Sequence, residues 1–224
     1  MDGGRSLEES LDAIERLDVS TVADAIETLG FECTRCGACC RTYDDEDHVA
    51  TVFPDEIRAI ASEHGYDWRD VVRPMPFGLA ADGTGQTIEW SLATDECGDC
   101  TFLDEHPEGG TSCSIYDDRP SICRTYPFSL VDSPGESPMG APIGQAGPVV
   151  AHECEGIGQS ITREEAERLA SQLIERSVDA VHEAIDVREH LTGSTPDEST
   201  VVIDSDGYKR ADGSRIHPSV DDQR

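Results

Sequence analysis

The chain has 224 residues and a formal net charge of −30, from 47 acidic residues against 17 basic ones, only one of them a lysine, Lys209. That balance excludes binding along a nucleic-acid phosphate backbone or on an anionic membrane surface, both of which need clustered lysine and arginine. The acidic residues run along the whole chain, a composition that salt must screen and that suits a halophilic organism.

The length fits one domain of moderate size, and aromatics at 5% keep its core small. The opening MDGGRSLEES lacks a basic start and apolar stretch, and no run approaches the ~18 apolar residues of a bilayer span. The expectation is therefore a cytoplasmic protein. Between residues 6 and 29 the positions Leu7, Leu11, Ile14, Leu17, Val22, Ile26 and Leu29 follow helical spacing, with a break at 18–20 and a stop at Gly30. A cysteine- and glycine-rich stretch follows, then a helix over 54–64 with proline in its first turn and Gly65 after its end. Residues 86–92 alternate apolar and polar, as in a half-buried strand. Residues 100–103 and 112–116 flank the turn sequence HPEGG and predict a hairpin. A single helical turn is expected over 118–124, and residues 132–148 read as a Gly- and Pro-rich loop. Thr162 and Glu165 form a capping box for a helix ending near His190 or Leu191, with Ala166, Leu169, Leu173, Ile174, Val178, Val181 and Ile185 on one stripe. Beyond Gly193 the chain is polar, with one candidate hairpin through VVIDSDGYKR.

The nine cysteines carry the chemistry. Cys33, Cys36, Cys39 and Cys40 form C-x-x-C-x-x-C-C, Cys97 and Cys100 form a second C-x-x-C, and Cys113, Cys123 and Cys154 stand singly. An odd number, four of them within eight residues, argues against a disulfide framework in a reducing compartment. Two-residue spacing turns two thiolates toward one ion from a tight loop, which zinc sites and iron–sulfur sites both use. Three such cysteines followed by a distant fourth resemble a ferredoxin-type arrangement, and the spacing leaves Cys100, Cys113, Cys123 and Cys154 all eligible as that fourth ligand. Cys39 and Cys40 are adjacent, so their side chains are expected to diverge and to serve different ions or opposite sides of one centre. A four-thiolate centre carries about −2. Arg35, Arg41, Arg119 and Arg124, each close in sequence to a cluster cysteine, are candidates for holding the centre by offsetting that charge. The plain alternative is that they pair with surface carboxylates.

The segments FECTRCGACCR, CTFL, CSIYDDRPSICRTYPF and CEGIG together resemble the YkgJ-type cysteine cluster family, zinc- or iron-chelating C-x-x-C-x-x-C-C proteins of which some are labelled Fe–S oxidoreductases. The resemblance covers about residues 31–160. It implies Cys33, Cys36, Cys39, Cys40, Cys100, Cys113, Cys123 and Cys154 as ligands of zinc or a [4Fe–4S] cluster, in one or two centres. Cys97 is an additional candidate ligand outside the family pattern, and the family's proline after Cys100 is Thr101 here. Within RPSICRTYPF, Arg119 would anchor the turn that presents Cys123. Tyr126, Pro127 and Phe128 would pack beside the centre or simply fill the core.

Among the histidines His48, His64, His106, His152, His182 and His190, His106 and His152 lie closest to the motifs, but eight thiolates make a histidine ligand the weaker reading. The run 44–47 lacks the spacing and glycine of a calcium loop. The sequence thus predicts an α+β fold in one mostly helical domain, with a short β-hairpin and long loops stapled by a cysteine–metal cluster. N-terminal helices span 1–30, the metal-binding region 31–160, a C-terminal helix packed on it 161–192 and a polar tail 193–224. The partners expected are metal ions, with a protein partner left open and nucleic acid and membrane excluded. The functions weighed are a structural, storage, delivery or sensing metal protein, a [4Fe–4S] oxidoreductase or electron carrier, and an accessory of protein methylation. The last rests on a likeness of the cysteine region to flagellin lysine methylases.

Overall fold

The structure is a computed structural model that describes residues 5–42, 48–131, 141–191 and 199–216; the acidic run 44–47 lies outside them. Helix α1 (Leu7–Glu15) starts on a reciprocal cap: Ser6 accepts from the Glu9 N–H, and the Glu9 carboxylate accepts from the Ser6 N–H. Asp18 caps α2 (Val19–Leu29), which ends at Gly30, as the spacing predicts. After the cysteine loop come β1 (Thr51–Val52), α3 (Pro54–His64), α4 (Trp68–Val71) and β2 (Val72–Pro74). Next are β3 (Gly85–Thr87), β4 (Trp90–Leu92), β5 (Leu103–Glu105), β6 (Thr111–Cys113) and α5 (Ser121–Thr125). The described chain closes with β7 (Phe128–Leu130), β8 (Pro142–Ala146), β9 (Val149–His152), α6 (Arg163–Leu191), β10 (Thr200–Asp204) and β11 (Gly207–Lys209).

The strands build four small sheets, in the orders β1-β4-β2, β11-β10-β3, β5-β6 and β7-β9-β8, with β3 and β10 the one parallel pair among them. The fold is α+β, but the expectation of a mostly helical domain is wrong: helix accounts for only 39% and strand for 23%. The reason is length. Strands of two to five residues are too short to show a period of two, and partners as far apart as β3 and β10 declare themselves only once the chain is folded. The strand expected over 86–92 is split between two sheets, β3 and β4, because the chain turns at Ile88 and Glu89, where the Glu89 carbonyl accepts from the Met75 N–H at 3.0 Å. The hairpin around HPEGG forms as β5 and β6, with Leu103 opposite Cys113. Residues 142–146, read from sequence as loop, form β8 on the edge of a sheet.

Two apolar cores result. One joins Ile14, Val22 and Ile26 to Leu169, Leu173 and Val181 of α6 and to Phe128, Leu130, Val149 and Ala151 of the β7-β9-β8 sheet. The other surrounds Trp90 and Leu92 with Val52, Ile57, Ile60, Val71, Phe102 and Ile115, and Cys40, Cys100, Cys113 and Cys123 lie in or against this one. The segment expected as a polar tail contributes Val201, Ile203 and Tyr208 to a third, smaller cluster with Val187 of α6. Lys209, 2% exposed, is paired with Asp204 at 2.8 Å and Asp206 at 2.7 Å, and Asp204 also accepts from the Trp90 indole N–H at 2.7 Å. A charge buried with two carboxylates and an indole is satisfied, so it fixes the hairpin to the Trp90 core instead of opening it. No helix among the described residues is long and apolar enough to cross a membrane.

Candidate metal centre

The loop that carries C-x-x-C-x-x-C-C follows α2 and is shaped by two left-handed residues, Arg35 at φ 56° and Gly37 at φ 76°. A Cβ on Gly37 would lie 2.8 Å from the Thr111 hydroxyl and 3.2 Å from the Leu103 side chain, so the loop is pressed against the β5-β6 hairpin at this point. The Thr111 hydroxyl also donates to the Arg35 carbonyl at 2.7 Å. The chain then enters a single 3-10 turn over Ala38–Cys40, closed by Cys40 N–H to Gly37 carbonyl at 2.9 Å.

From there the structure brings thiols together from four stretches of sequence. The Cys40 carbonyl accepts from the Cys100 N–H at 2.8 Å. Cys113 ends β6, and Cys123 lies in α5. Cys40, Cys113 and Cys123 pack against the Trp90 core, and Cys100 is within it at 5% exposure. On the other side, a short ladder runs along the start of the loop: Phe31 bridges Ile157, and the Glu32 N–H donates to the Gly156 carbonyl at 3.0 Å. The Thr34 hydroxyl donates to the Glu155 carboxylate. This ladder sets Cys33 beside the Cys154 segment, where the Tyr126 hydroxyl donates to the Glu153 carbonyl.

The sulfurs of Cys39 and Cys40 are 3.8 Å apart. They do not diverge as adjacency suggested, because the 3-10 turn folds them onto one side. The separation matches the edge of a tetrahedral thiolate shell, about 3.8 Å for Zn–S bonds of about 2.3 Å. Among the described residues, no three of the His, Cys, Asp and Glu side chains already form a group able to hold an ion. The thiols share a neighbourhood, and metal binding would have to draw them inward. All nine cysteines are free.

Electrostatics show what that would require. Contact with Cys40, and then burial, push the Cys39 thiol far above its ordinary range. Burial pushes Cys100 up to about 11, and the nearby Cys113 and Cys39 add to it. Burial likewise raises Cys113, raises Cys123 well above normal with Cys100, Cys39 and Cys113 beside it, and raises Cys154, which also feels Cys39, Cys36 and Cys33. Crowded thiols of this kind stay protonated until a cation replaces the protons. Sulfur-only donors at this density fit the soft-ligand chemistry of zinc or iron–sulfur centres.

Cys97 stands apart. It is exposed on the turn before Cys100, with its N–H donated to Asp95 at 2.8 Å and its carbonyl accepting from Thr42 at 2.9 Å. Of the four arginines, Arg41 is paired with Asp99 and Glu105, and Arg124 is exposed. Arg35 and Arg119 stack on the Tyr116 ring, 4.8 Å and 3.8 Å from its centroid. Arg119 also donates from Nε to the Tyr116 carbonyl at 2.8 Å, and it lowers the thiol pKa at Cys39, Cys113 and Cys123. Pro127 is buried, and Phe128 lies in the helical core against Phe31, while Tyr126 is the residue of that trio beside the thiols. His152 hydrogen-bonds Ser129 at 2.8 Å.

The sequence reading did not single out Glu56. Its carboxylate accepts from the Phe53 N–H at 3.1 Å and from the Ser121 N–H at 2.6 Å, tying α3 to the start of α5 two residues before Cys123. A glutamate three residues into a helix signals only a local cap, so its second partner was invisible. Gly156 was also missed. A Cβ there would lie 2.2 Å from the Glu32 carbonyl oxygen, so only glycine lets the Cys154 segment approach the loop.

A family model described as "CxxCxxCC: Putative zinc- or iron-chelating domain" matches residues 32–155. No curated protein and no solved structure matches the chain.

Proposed function

The chain belongs to the CxxCxxCC family of zinc- or iron-chelating domains, and on that premise we propose that it binds zinc or an iron–sulfur cluster through Cys33, Cys36, Cys39, Cys40, Cys100, Cys113, Cys123 and Cys154, with Cys97 outside the set. What supports this reading is that the cysteine-bearing segments lie near one another: the Cys39 and Cys40 sulfurs are 3.8 Å apart, Cys40 and Cys100 are joined by a backbone hydrogen bond, and Cys40, Cys100, Cys113 and Cys123 share the Trp90 core. Thiolates bound to a metal would link the loop, the hairpin, α5 and the Cys154 segment, so the metal is part of what holds this half of the molecule together. Arg119, whose charge reaches Cys39, Cys113 and Cys123, would offset part of the charge.

A [4Fe–4S] redox protein is the second reading, and one observation favours it. Cys33 and Cys36 are exposed, which would put a cluster held there within reach of an electron-transfer partner. Elemental and sulfide analysis of anaerobically purified protein separates the two. Colourless protein with zinc supports the first reading. Brown protein with iron and acid-labile sulfide, bleached by dithionite, supports the second. Protein purified without any metal, which binds none when reduced and offered zinc or iron, would overturn both.

A further inference from the structure

The exposed arginines Arg16, Arg58 and Arg188 each hold one of the chain's own carboxylates. Arg35 and Arg119 are different. Both guanidinium groups lie over the Tyr116 ring, and neither has a carboxylate partner among the described residues. Asp117 and Asp118 follow Tyr116 directly yet pair with neither, and Asp118 instead bonds His64 at 3.1 Å. Arg119 uses only its Nε, on the Tyr116 carbonyl. Its terminal nitrogens, the Arg35 guanidinium and the Tyr116 hydroxyl have no protein hydrogen-bond partner among the described residues. The backbone adds a second observation. Arg35 and Gly37 are both left-handed, and Arg35 is the one non-glycine residue in that state among those described. A side chain is strained there where glycine is not, so what arginine adds is a guanidinium held over Tyr116.

We infer that Arg35, Tyr116 and Arg119 form a binding site for a small divalent oxyanion, a dicarboxylate or a phosphate-type anion, beside the cysteine loop. The site goes beyond metal binding and does not depend on it. Stacking on the ring holds both guanidinium groups before the anion arrives, so little side-chain freedom is lost on binding. Two guanidinium groups and a phenol offer charge-assisted hydrogen bonds that a dianion engages together and a monoanion cannot. The ligand is small because the chain, at −30, repels an extended acidic surface. A compact anion feels mainly the charges within ~8 Å at physiological salt.

The test is isothermal titration calorimetry on the full chain as purified, at pH 8 and constant ionic strength. Succinate or inorganic phosphate should bind saturably, about tenfold more tightly than acetate. The tighter of the two identifies the site as one for dicarboxylates or for phosphate-type anions. Arg35→Gln and Arg119→Gln should each lower dianion binding to the level of acetate. Tyr116→Phe, which keeps the ring and loses the hydroxyl, should weaken it about threefold. Arg124→Gln, an exposed arginine nearby in sequence, should leave it unchanged. The ratio of dianion to acetate affinity is read on the wild type and needs no variant to fold. No saturable binding, equal affinity for acetate and the dianions, or an equal loss in Arg124→Gln would overturn the site. Tighter binding of an oligo-aspartate peptide than of succinate or phosphate would overturn its assignment to a small ligand.

Discussion

The two larger cores of this molecule are built on different principles. The core around α1, α2 and α6 is made by helices whose apolar stripes face one another and the β7-β9-β8 sheet, and burial of hydrocarbon is its main support, with Arg163 and Arg188 of α6 paired to Asp24, Glu27 and Glu8 at its edge. The Trp90 core has strands of two or three residues, α3 and a 3-10 turn around it, and half of the thiols assigned to metal line it. Short strands and long loops bury little per residue ordered, so that half lacks the margin of the helical one. A metal bound there as proposed would reinforce the half whose secondary structure is weakest.

Removing the metal should therefore affect the halves unequally, and this is the largest effect expected. Structural zinc in small domains supplies about 10–16 kcal/mol of apparent folding free energy. In amide hydrogen exchange, β4 to β6 and the 31–42 loop should lose most of their protection on chelation under reducing conditions, while residues 166–181 of α6 keep theirs. Equal loss in both halves would show that the two cores fold as one unit and would break the contrast drawn here.

A second effect, of about 3 kcal/mol, belongs to the cysteine-bearing half alone. His48 is 3% exposed, and neither ring nitrogen has a hydrogen-bond partner among the described residues. Burial first, and then the nearby Arg73, lower its pKa to about 4, with Asp99 opposing. The folded state thus prefers the neutral ring, and protonation favours unfolding. The stability is whole above the unfolded value near 6.5 and is lost as pH falls from there toward 4, at about 1.4 kcal/mol for each pH unit. Thiolate protonation releases metal over an overlapping range, so the comparison is made on metal-free chains. His48→Leu should flatten the acid limb of the melting curve between pH 6.5 and 4. A variant that tracks the wild type across that window would show that the ring is not held neutral.

The helical half was the more legible of the two. Leu7 to Leu29 and Ala166 to Ile185 repeat at helical spacing, and Ser6, Asp18 and Thr162 are caps that can be read locally. The ligand candidates were visible for another reason, since cysteines at two-residue intervals are unusual in any composition. What joins them was not visible. The ladder from Phe31 to Ile157, the Glu56 tether and the parallel pairing of β3 with β10 connect residues 65 to 126 positions apart. No local pattern encodes such partners. The arginines show the same limit: all four lie within a few residues of a cysteine in sequence, and the fold distinguished them.

That distinction gives the smallest effect and the finest test of the contrast. Arg119 is partly exposed and held by Tyr116 on both its face and its carbonyl. It has no carboxylate partner among the described residues, so its charge remains available to Cys39, Cys113 and Cys123. Arg41 spends its charge on Asp99 and Glu105, and Arg124 faces solvent. A partly screened charge at this range is worth about 1 kcal/mol. Arg119→Gln should then weaken Co²⁺ binding by roughly three- to tenfold, and the loss should shrink as salt is raised. Arg124→Gln should leave Co²⁺ binding unchanged. If Arg119→Lys behaves as badly as Arg119→Gln, the guanidinium acts by stacking on Tyr116 and fixing the turn before Cys123, and charge is not the cause. If Arg124→Gln weakens binding as much as Arg119→Gln does, the fold has not selected among the arginines, and their effect is that of net charge alone.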